Sequence, residues 1–285
     1  MNWLVFHVAS GQSFFSGIAL VVVAAVASRS SNAVSKRVAV LGFVIGVIAI
    51  VISSTPIPYW YYGLASVATV PWIASAYVTK WRPWSAFAVI AAWTIAAIME
   101  IPYHLPPRLG PASSPSVTII GDSVTAGMGG EDQAETWPVI LAKEHGIEIQ
   151  DNSHVGETAA SALKRLKDKP ITSSLVIIEI GGNDLLGSTT SAKFSRDLDA
   201  LLAHVTSSKS QTIMFELPLP PFHHEYGRIQ RVLAHKYGVS LIPKRVFLDV
   251  LGASGSTLDT IHLSQAGHQR MAECVWALVG IAFAN

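Results

Sequence analysis

A chain of 285 residues allows one or two domains. Half its residues are hydrophobic and only 14% are charged, against about 25% in an ordinary soluble domain. One cysteine, Cys274, excludes an intrachain disulfide, and no CxxC or Cys/His cluster suggests structural zinc. The charge is unevenly spread. Up to Gly110 the only charged residues are Arg29, Lys36, Arg37, Lys80, Arg82, Arg108 and the single acid Glu100, whereas 18 acids and 14 bases lie beyond it. The mildly acidic C-terminal part argues against a nucleic-acid partner, which calls for a basic face.

The first third reads as a membrane segment. Four apolar stretches stand out: Phe14–Ala27, Val38–Ile52, Ile57–Val78 and Trp84–Ile101. A spanning helix needs about 17–25 apolar residues. The first stretch reaches that length with Trp3–Val8, and the second falls short unless it borrows its flanks. A soluble bundle would need polar outer faces, which these segments lack. The first stretch does not read as a convincing signal peptide, since no Lys or Arg precedes it and no clear cleavage site follows. Tyr59–Tyr62, Trp81 and Trp84 suit membrane interfaces. Arg29, Lys36 and Arg37 in the first loop, and Lys80 and Arg82 in the third, set those loops in the cytoplasm. Four spans over residues 1–107 then put the rest of the chain on the periplasmic or extracellular side of what reads as a bacterial inner membrane. A re-entrant third segment, which contains Pro71, would reverse that.

Residues 108–115, with Pro111 and Pro115, read as an extended connector. Beyond it, from 116 to 285, short apolar runs alternate with helical patterns. Strands are expected at Val117–Ile120, Ile147–Gln150, Leu175–Ile180, Thr212–Leu217 and Val239–Ile242. Helices are expected at Ala134–His145, Thr158–Lys167, Ala192–Val205, Tyr226–Tyr237 and Ser264–Val279. Such alternation implies an α/β fold, a parallel sheet between helices, with its site beyond the C-terminal strand ends. Polar or glycine clusters fall there: Gly121-Asp122-Ser123 after the first strand, Asn152–Gly156 after the second, Gly181–Asp184 after the third, and Asp259–His262 before the last helix.

These residues suit acyl transfer, which needs a nucleophile, a base, a group to orient the base, and donors for an oxyanion. Ser123 is the candidate nucleophile, His262 the base and Asp259, three residues earlier, its orienter. The Ser123 and Gly156 N–H groups and the Asn183 amide are candidate oxyanion donors. Each cluster alone is no more than a turn or a cap.

Together they carry a resemblance. The C-terminal domain resembles the SGNH (GDSL-like) hydrolase family through four blocks: Gly121-Asp122-Ser123-Val124, Gly156-Glu157-Thr158, Ile180-Gly181-Gly182-Asn183-Asp184 and Asp259-Thr260-Ile261-His262-Leu263. It is most similar to the thioesterase, lysophospholipase and arylesterase branch. The resemblance implies a flavodoxin-like three-layer α/β/α sandwich with a five-stranded parallel sheet. It implies Ser123, Asp259 and His262 as catalytic triad, and Ser123, Gly156 and Asn183 as oxyanion hole. Thr260 and Leu263 stand where the family often has glycine and proline.

Asp122 and Asp184 are expected to hold strand-end turns, Cys274 to pack in the last helix, and His154 to reach substrate. His223 and His224 sit in the loop after the fourth strand, as pocket lining or as exposed residues. Asp259, His262 and His268 make no convincing metal set, and the chemistry requires no cofactor. The expected function is a membrane-anchored serine esterase acting on lysophospholipid or other acyl-lipid esters. The alternatives are an O-acetyl esterase or an acyltransferase for cell-envelope glycans, or a domain that binds without turnover. The expected partners are the lipid bilayer and the acyl ester.

Overall fold

The computed structural model of the chain describes residues 1–75, 82–128, 135–208 and 210–284. It divides into two compact units. One is helical and comprises Trp3–Pro102 with Pro218–His224; the other comprises Met1–Asn2, Tyr103–Leu217 and Glu225–Asn285.

The helical unit contains α1 (Trp3–Ala9), α2 (Gln12–Ala27), α3 (Ala33–Ile52), α4 (Tyr59–Ala74) and α5 (Arg82–Glu100). Phe14, Ile18, Val21, Tyr61 and Trp93 are among its buried core. Helices α2 and α3 meet at glycines. A Cβ on Gly17 would lie 2.6 Å from the Gly46 carbonyl, and one on Gly46 would lie 2.7 Å from that of Gly17. Small residues allow backbones to approach this closely, as in membrane helix pairs. The outer face of α3 exposes Val40, Leu41, Val44, Ile45 and Ile48.

Four spans are not what the described residues contain. Two helical stretches, Ala33–Ile52 and Trp84–His104, are long and apolar enough to cross a membrane, and a third counts only if α1 and α2 form one broken span. Those two helices bend by 87° at Gly11, whose φ is +84°. Helix α4, 16 residues long, falls below the spanning length, and residues 76–78 of the third apolar stretch lie outside the described residues, as do Lys80 and Trp81. The second stretch, expected to be short, reaches 20 residues because the Asn32 side chain accepts from the Val34 N–H at 2.8 Å and starts the helix at Ala33.

Segment Pro218–His224 is bonded within the helical unit. The Leu219 N–H donates to Ser54 Oγ at 2.8 Å, and His224 Nε2 donates to the Ser53 carbonyl at 2.6 Å.

The second unit is an α/β domain. Its strands are β1 (Ser116–Gly121), β2 (Glu148–Asp151), β3 (Leu175–Glu179), β4 (Gln211–Phe215) and β5 (Ser240–Ile242). They form one parallel sheet in the order β2-β1-β3-β4-β5. Its helices are α6 (Ser123–Ala126), α7 (Trp137–His145), α8 (Ala159–Leu166), α9 (Gly182–Leu186), α10 (Ser191–Thr206), α11 (His224–Tyr237), α12 (Lys244–Gly252) and α13 (Gln265–Phe283). Val117, Ile119, Ile177, Ile213 and Phe215 point to one face, where α7, α12 and α13 supply Leu141, Val250, Met271 and Val275. Alternation along the strands sends Ile120, Val176 and Ile178 to the other face, and α8 packs there on α10. Both faces are covered, so the central strands read as continuous apolar runs.

Residues 108–115 are fastened to this domain rather than free. The Gly110 N–H donates to Gln211 Oε1 at 2.7 Å, and Gln211 Nε2 donates back to the Gly110 carbonyl at 2.9 Å. The Ala112 N–H donates to the Ala282 carbonyl at 2.8 Å.

Candidate active site

Strand β1 ends where the chain must turn sharply. At Gly121 an added Cβ would lie 2.4 Å from Thr125 Oγ1, so only glycine lets α6 fold back on the strand. Asp122 caps α6, its Oδ1 accepting from the Val124 N–H at 2.9 Å. This turn presents Ser123, 8% exposed, as the first residue of the helix.

The loop before α13 presents the partners of Ser123. It is closed by an antiparallel bridge between Thr257 and Leu263 and by the Leu258 N–H donating to the His262 carbonyl at 2.8 Å. Asp259 Oδ1 accepts from the Ile261 and His262 N–H groups at 2.7 and 2.8 Å. Its other oxygen, Oδ2, lies 2.7 Å from His262 Nδ1, and His262 Nε2 lies 3.1 Å from Ser123 Oγ. Thr260 is accommodated in this closed loop, and Leu263 is buried in the core. The bonds from His262, and then those from the two backbone N–H groups, hold the Asp259 carboxyl well below the usual carboxylate range. An ionised Asp259 fixes the proton on Nδ1 and leaves Nε2 to accept from the Ser123 hydroxyl.

Asn183 lies in the first turn of α9, just after β3. Its Nδ2 donates to Asp122 Oδ2 at 3.1 Å and to the Glu157 carbonyl at 3.0 Å, so it joins the rims of β1 and β2. Gly156 sits in the turn after β2 with φ +73°, a left-handed conformation that a side chain would strain. The His154 N–H donates to the Gly121 carbonyl at 3.0 Å, which sets His154 on the same rim. Its ring turns to its own loop, Nδ1 lying 2.8 Å from the Val155 carbonyl.

The other singled-out residues have structural partners. Asp122 holds its strand-end turn as expected. Asp184 reaches across instead, its Oδ2 accepting from the Ala159 N–H at the start of α8 at 2.9 Å; burial pushes its pKa up. His223 contacts the Pro221 carbonyl through Nδ1 at 3.0 Å. His268 is buried on α13 and its Nδ1 accepts from the Trp137 N–H at 3.2 Å; burial lowers its pKa. Cys274 is half-buried against the core, and burial raises its thiol pKa. Among the described residues no group of three His, Cys, Asp or Glu side chains is placed to hold a metal ion.

Sequence reasoning passed over Glu179, the last residue of β3. It is buried, and its Oε2 accepts from the Asp122 N–H at 3.2 Å and from Thr125 Oγ1 at 3.0 Å. A lone acid in the apolar run Leu175–Ile180 was the available signal.

The profile of the GDSL-like lipase/acylhydrolase family matches residues 119–270. Esterase TesA of Pseudomonas aeruginosa is 26% identical over 182 residues, which cover 58% of this chain and 88% of the esterase. Thioesterase 1/protease 1/lysophospholipase L1 of Escherichia coli is 26% identical over 141 residues, covering 46% and 67% of the two chains. Among solved structures, TesA aligns with a TM-score of 0.50 at 26% identity, covering 59% of this chain and 99% of TesA. A psychrotrophic esterase EstA from Pseudoalteromonas aligns at 0.51 and 21% identity, covering 58% and 97%, and speaks to the fold alone. On the family match and these relatives, the chain belongs to the GDSL-like lipase/acylhydrolase family and is a carboxylic ester hydrolase.

Proposed function

We propose that the chain is a membrane-anchored serine esterase that cleaves acyl-lipid esters, lysophospholipids foremost, through an acyl-enzyme on Ser123. The observation that carries this reading is the unbroken hydrogen-bonded series Asp259–His262–Ser123 on the sheet rim. As Ser123 Oγ bonds to the acyl carbon, His262 Nε2 takes its proton. The tetrahedral oxyanion meets the Ser123 and Gly156 N–H groups and the Asn183 amide, which keeps its bond to Asp122 and releases the Glu157 carbonyl to donate its second hydrogen. When it collapses, the ester C–O bond breaks and His262 returns the proton to the departing alkoxide. Water then adds to the acyl-enzyme with His262 as base again, releasing free acid and restoring Ser123. Ionised Asp259 stabilises the imidazolium in both halves.

The substrate class is supported by the apolar outer faces of the helical unit and by the relative named lysophospholipase L1. Mean hydropathies of 2.2 for Ala33–Ile52 and 1.7 for Trp84–His104 support residence in a bilayer. The basic residues of the loop between α2 and α3 support a cytoplasmic place for that loop; the catalytic domain then lies on the outer side of a bacterial inner membrane where α4 crosses as well as α3 and α5, and on the inner side where α4 does not. His154, on the rim, is the proposed contact for the alcohol portion of the substrate.

The test is hydrolysis of p-nitrophenyl esters from acetate to palmitate by the detergent-solubilised protein, beside Ser123→Ala. The expected result is release of free acid, preference for long chains, and loss of activity to background in the variant. Preference for acetate would move the substrate to O-acetyl groups of envelope glycans, and activity that survives Ser123→Ala would overturn the mechanism.

A further inference from the structure

Strand β3 ends on Glu179, an acid that the proposed reaction does not use. It lies beside the nucleophile turn because Gly121 and Glu179 are paired in the β1–β3 register. Its Oε2 receives two hydrogen bonds, from the Asp122 N–H and the Thr125 hydroxyl. Burial raises the Asp122 pKa, and burial and then the charge of Asp122 raise that of Glu179. Asp122 is itself buried and already accepts from the Val124 N–H and from Asn183 Nδ2. Gly182 leaves it this place, for a Cβ there would lie 3.3 Å from Asp122 Oδ2. The other charged groups acting on Asp122 are His262 and Asp184; buried Glu157, whose carbonyl holds Asn183, is paired with Arg165 Nε at 2.7 Å.

We propose that Glu179 is a positioning residue for the oxyanion hole: its carboxyl group donates a hydrogen bond to the Asp122 carboxylate, which in turn holds the Asn183 amide where the oxyanion forms. Two neighbouring buried carboxyl groups do not both ionise, because desolvation and mutual repulsion favour a shared proton. The proton belongs on Glu179. Burial, then the charge of Asp122, raises the Glu179 pKa well above its ordinary value, whereas the Asp122 carboxylate is stabilised by two N–H donors. Oε2 takes the two incoming bonds as a carbonyl oxygen, and Oε1 carries the proton to Asp122. This reserves a single negative charge for the Asn183 amide and keeps a second one away from the developing oxyanion.

The inference rests on the serine-esterase reading, and the test separates the two. Glu179→Gln keeps a donor for Asp122 and an acceptor for the Asp122 N–H and Thr125; Glu179→Leu keeps neither. Both are compared with the parent for kcat and KM on a p-nitrophenyl ester, alone and combined with Asn183→Ala. Thermal unfolding identifies variants that fold, and Asp122→Asn serves in place of Glu179→Leu if that variant does not. Glu179→Leu is expected to lower kcat about tenfold with KM little changed, consistent with a weakened oxyanion donor. In the Asn183→Ala background the same change is expected to cost less than about twofold, because the group it positions is gone. Glu179→Gln is expected to recover most of the loss. Equal losses with Gln and Leu, or the same fold loss in both backgrounds, would overturn the positioning role. Activity that persists in Ser123→Ala would instead bring down the esterase mechanism beneath it.

Discussion

Asp259 meets water over 53% of its side chain, yet three hydrogen bonds from its own loop keep it ionised and aimed at Nδ1. The carboxylate sets the tautomer of His262, and the loop alone sets its direction. Asp259→Asn keeps an oxygen for the two backbone N–H groups but offers an amide N–H to Nδ1, which forces the imidazole proton onto Nε2. A kcat decrease of about 10²–10³-fold is expected in steady-state ester hydrolysis, with KM nearly unchanged. That is smaller than the roughly 10⁴-fold loss when such an acid is buried, since water takes part of the carboxylate's place. At this scale Ser123, Asn183, Asp259 and His262 were legible because each stands in a short block with its own turn residues. Glu179 was not, because its importance depends on a strand register, and a register is not written locally. The reach of Asp184 to α8 is invisible for the same reason.

Among the elements, the five strands were legible from apolar runs bounded by Gly, Pro and Ser, with ends within a residue or two of those found. Helix α12 was missed. Its sequence Lys-Arg-Val-Phe-Leu-Asp-Val-Leu-Gly opens on two cations and follows Pro243, with no side chain to cap its start. Its place is secured by a partner distant in sequence. Glu216, just past β4, pairs with Arg231 Nε of α11 at 2.6 Å and lies 3.5 Å from Lys244 Nζ of α12, with all three side chains buried. The Arg231 guanidinium also lies 3.5 Å above the Tyr103 ring. Removing one member of a buried charge cluster leaves the others uncompensated, at a cost of about 3–5 kcal/mol. Glu216→Ala is therefore expected to lower Tm by roughly 10 °C for a domain of this size; differential scanning calorimetry of the detergent-solubilised protein checks it, and an unchanged Tm would remove the cluster from the stability account.

For the molecule as a whole, the division into a charge-poor helical unit and a charged α/β unit was plain from composition. The number of spans was not. It depended on a kink at Gly11 and on a cap at Asn32, which hydropathy averages over. The side of the membrane is open to direct measurement. Activity of a reporter fused after Asn285 that works only outside the cytoplasm is the outcome expected of a chain in which α4 crosses as a further span; activity of a cytoplasm-dependent reporter is the outcome expected of spans at α3 and α5 without α4. The division also misses that Pro218–His224, which interrupts the α/β unit in sequence, is bonded among the helices. Composition cannot reveal this, because that loop resembles any proline-rich turn.

Ser123 and His262 are separated by 139 positions, and the residues that hold the His262 loop come just before α13. At roughly 5–20 residues per second of synthesis, about seven to thirty seconds pass between the appearance of the proposed nucleophile and that of its proposed base. Throughout that interval the growing chain bears a serine with no partner to activate it. On the proposed mechanism hydrolytic competence arrives as a late event of biogenesis, so an incomplete product stalled before His262 is harmless to the esters around it.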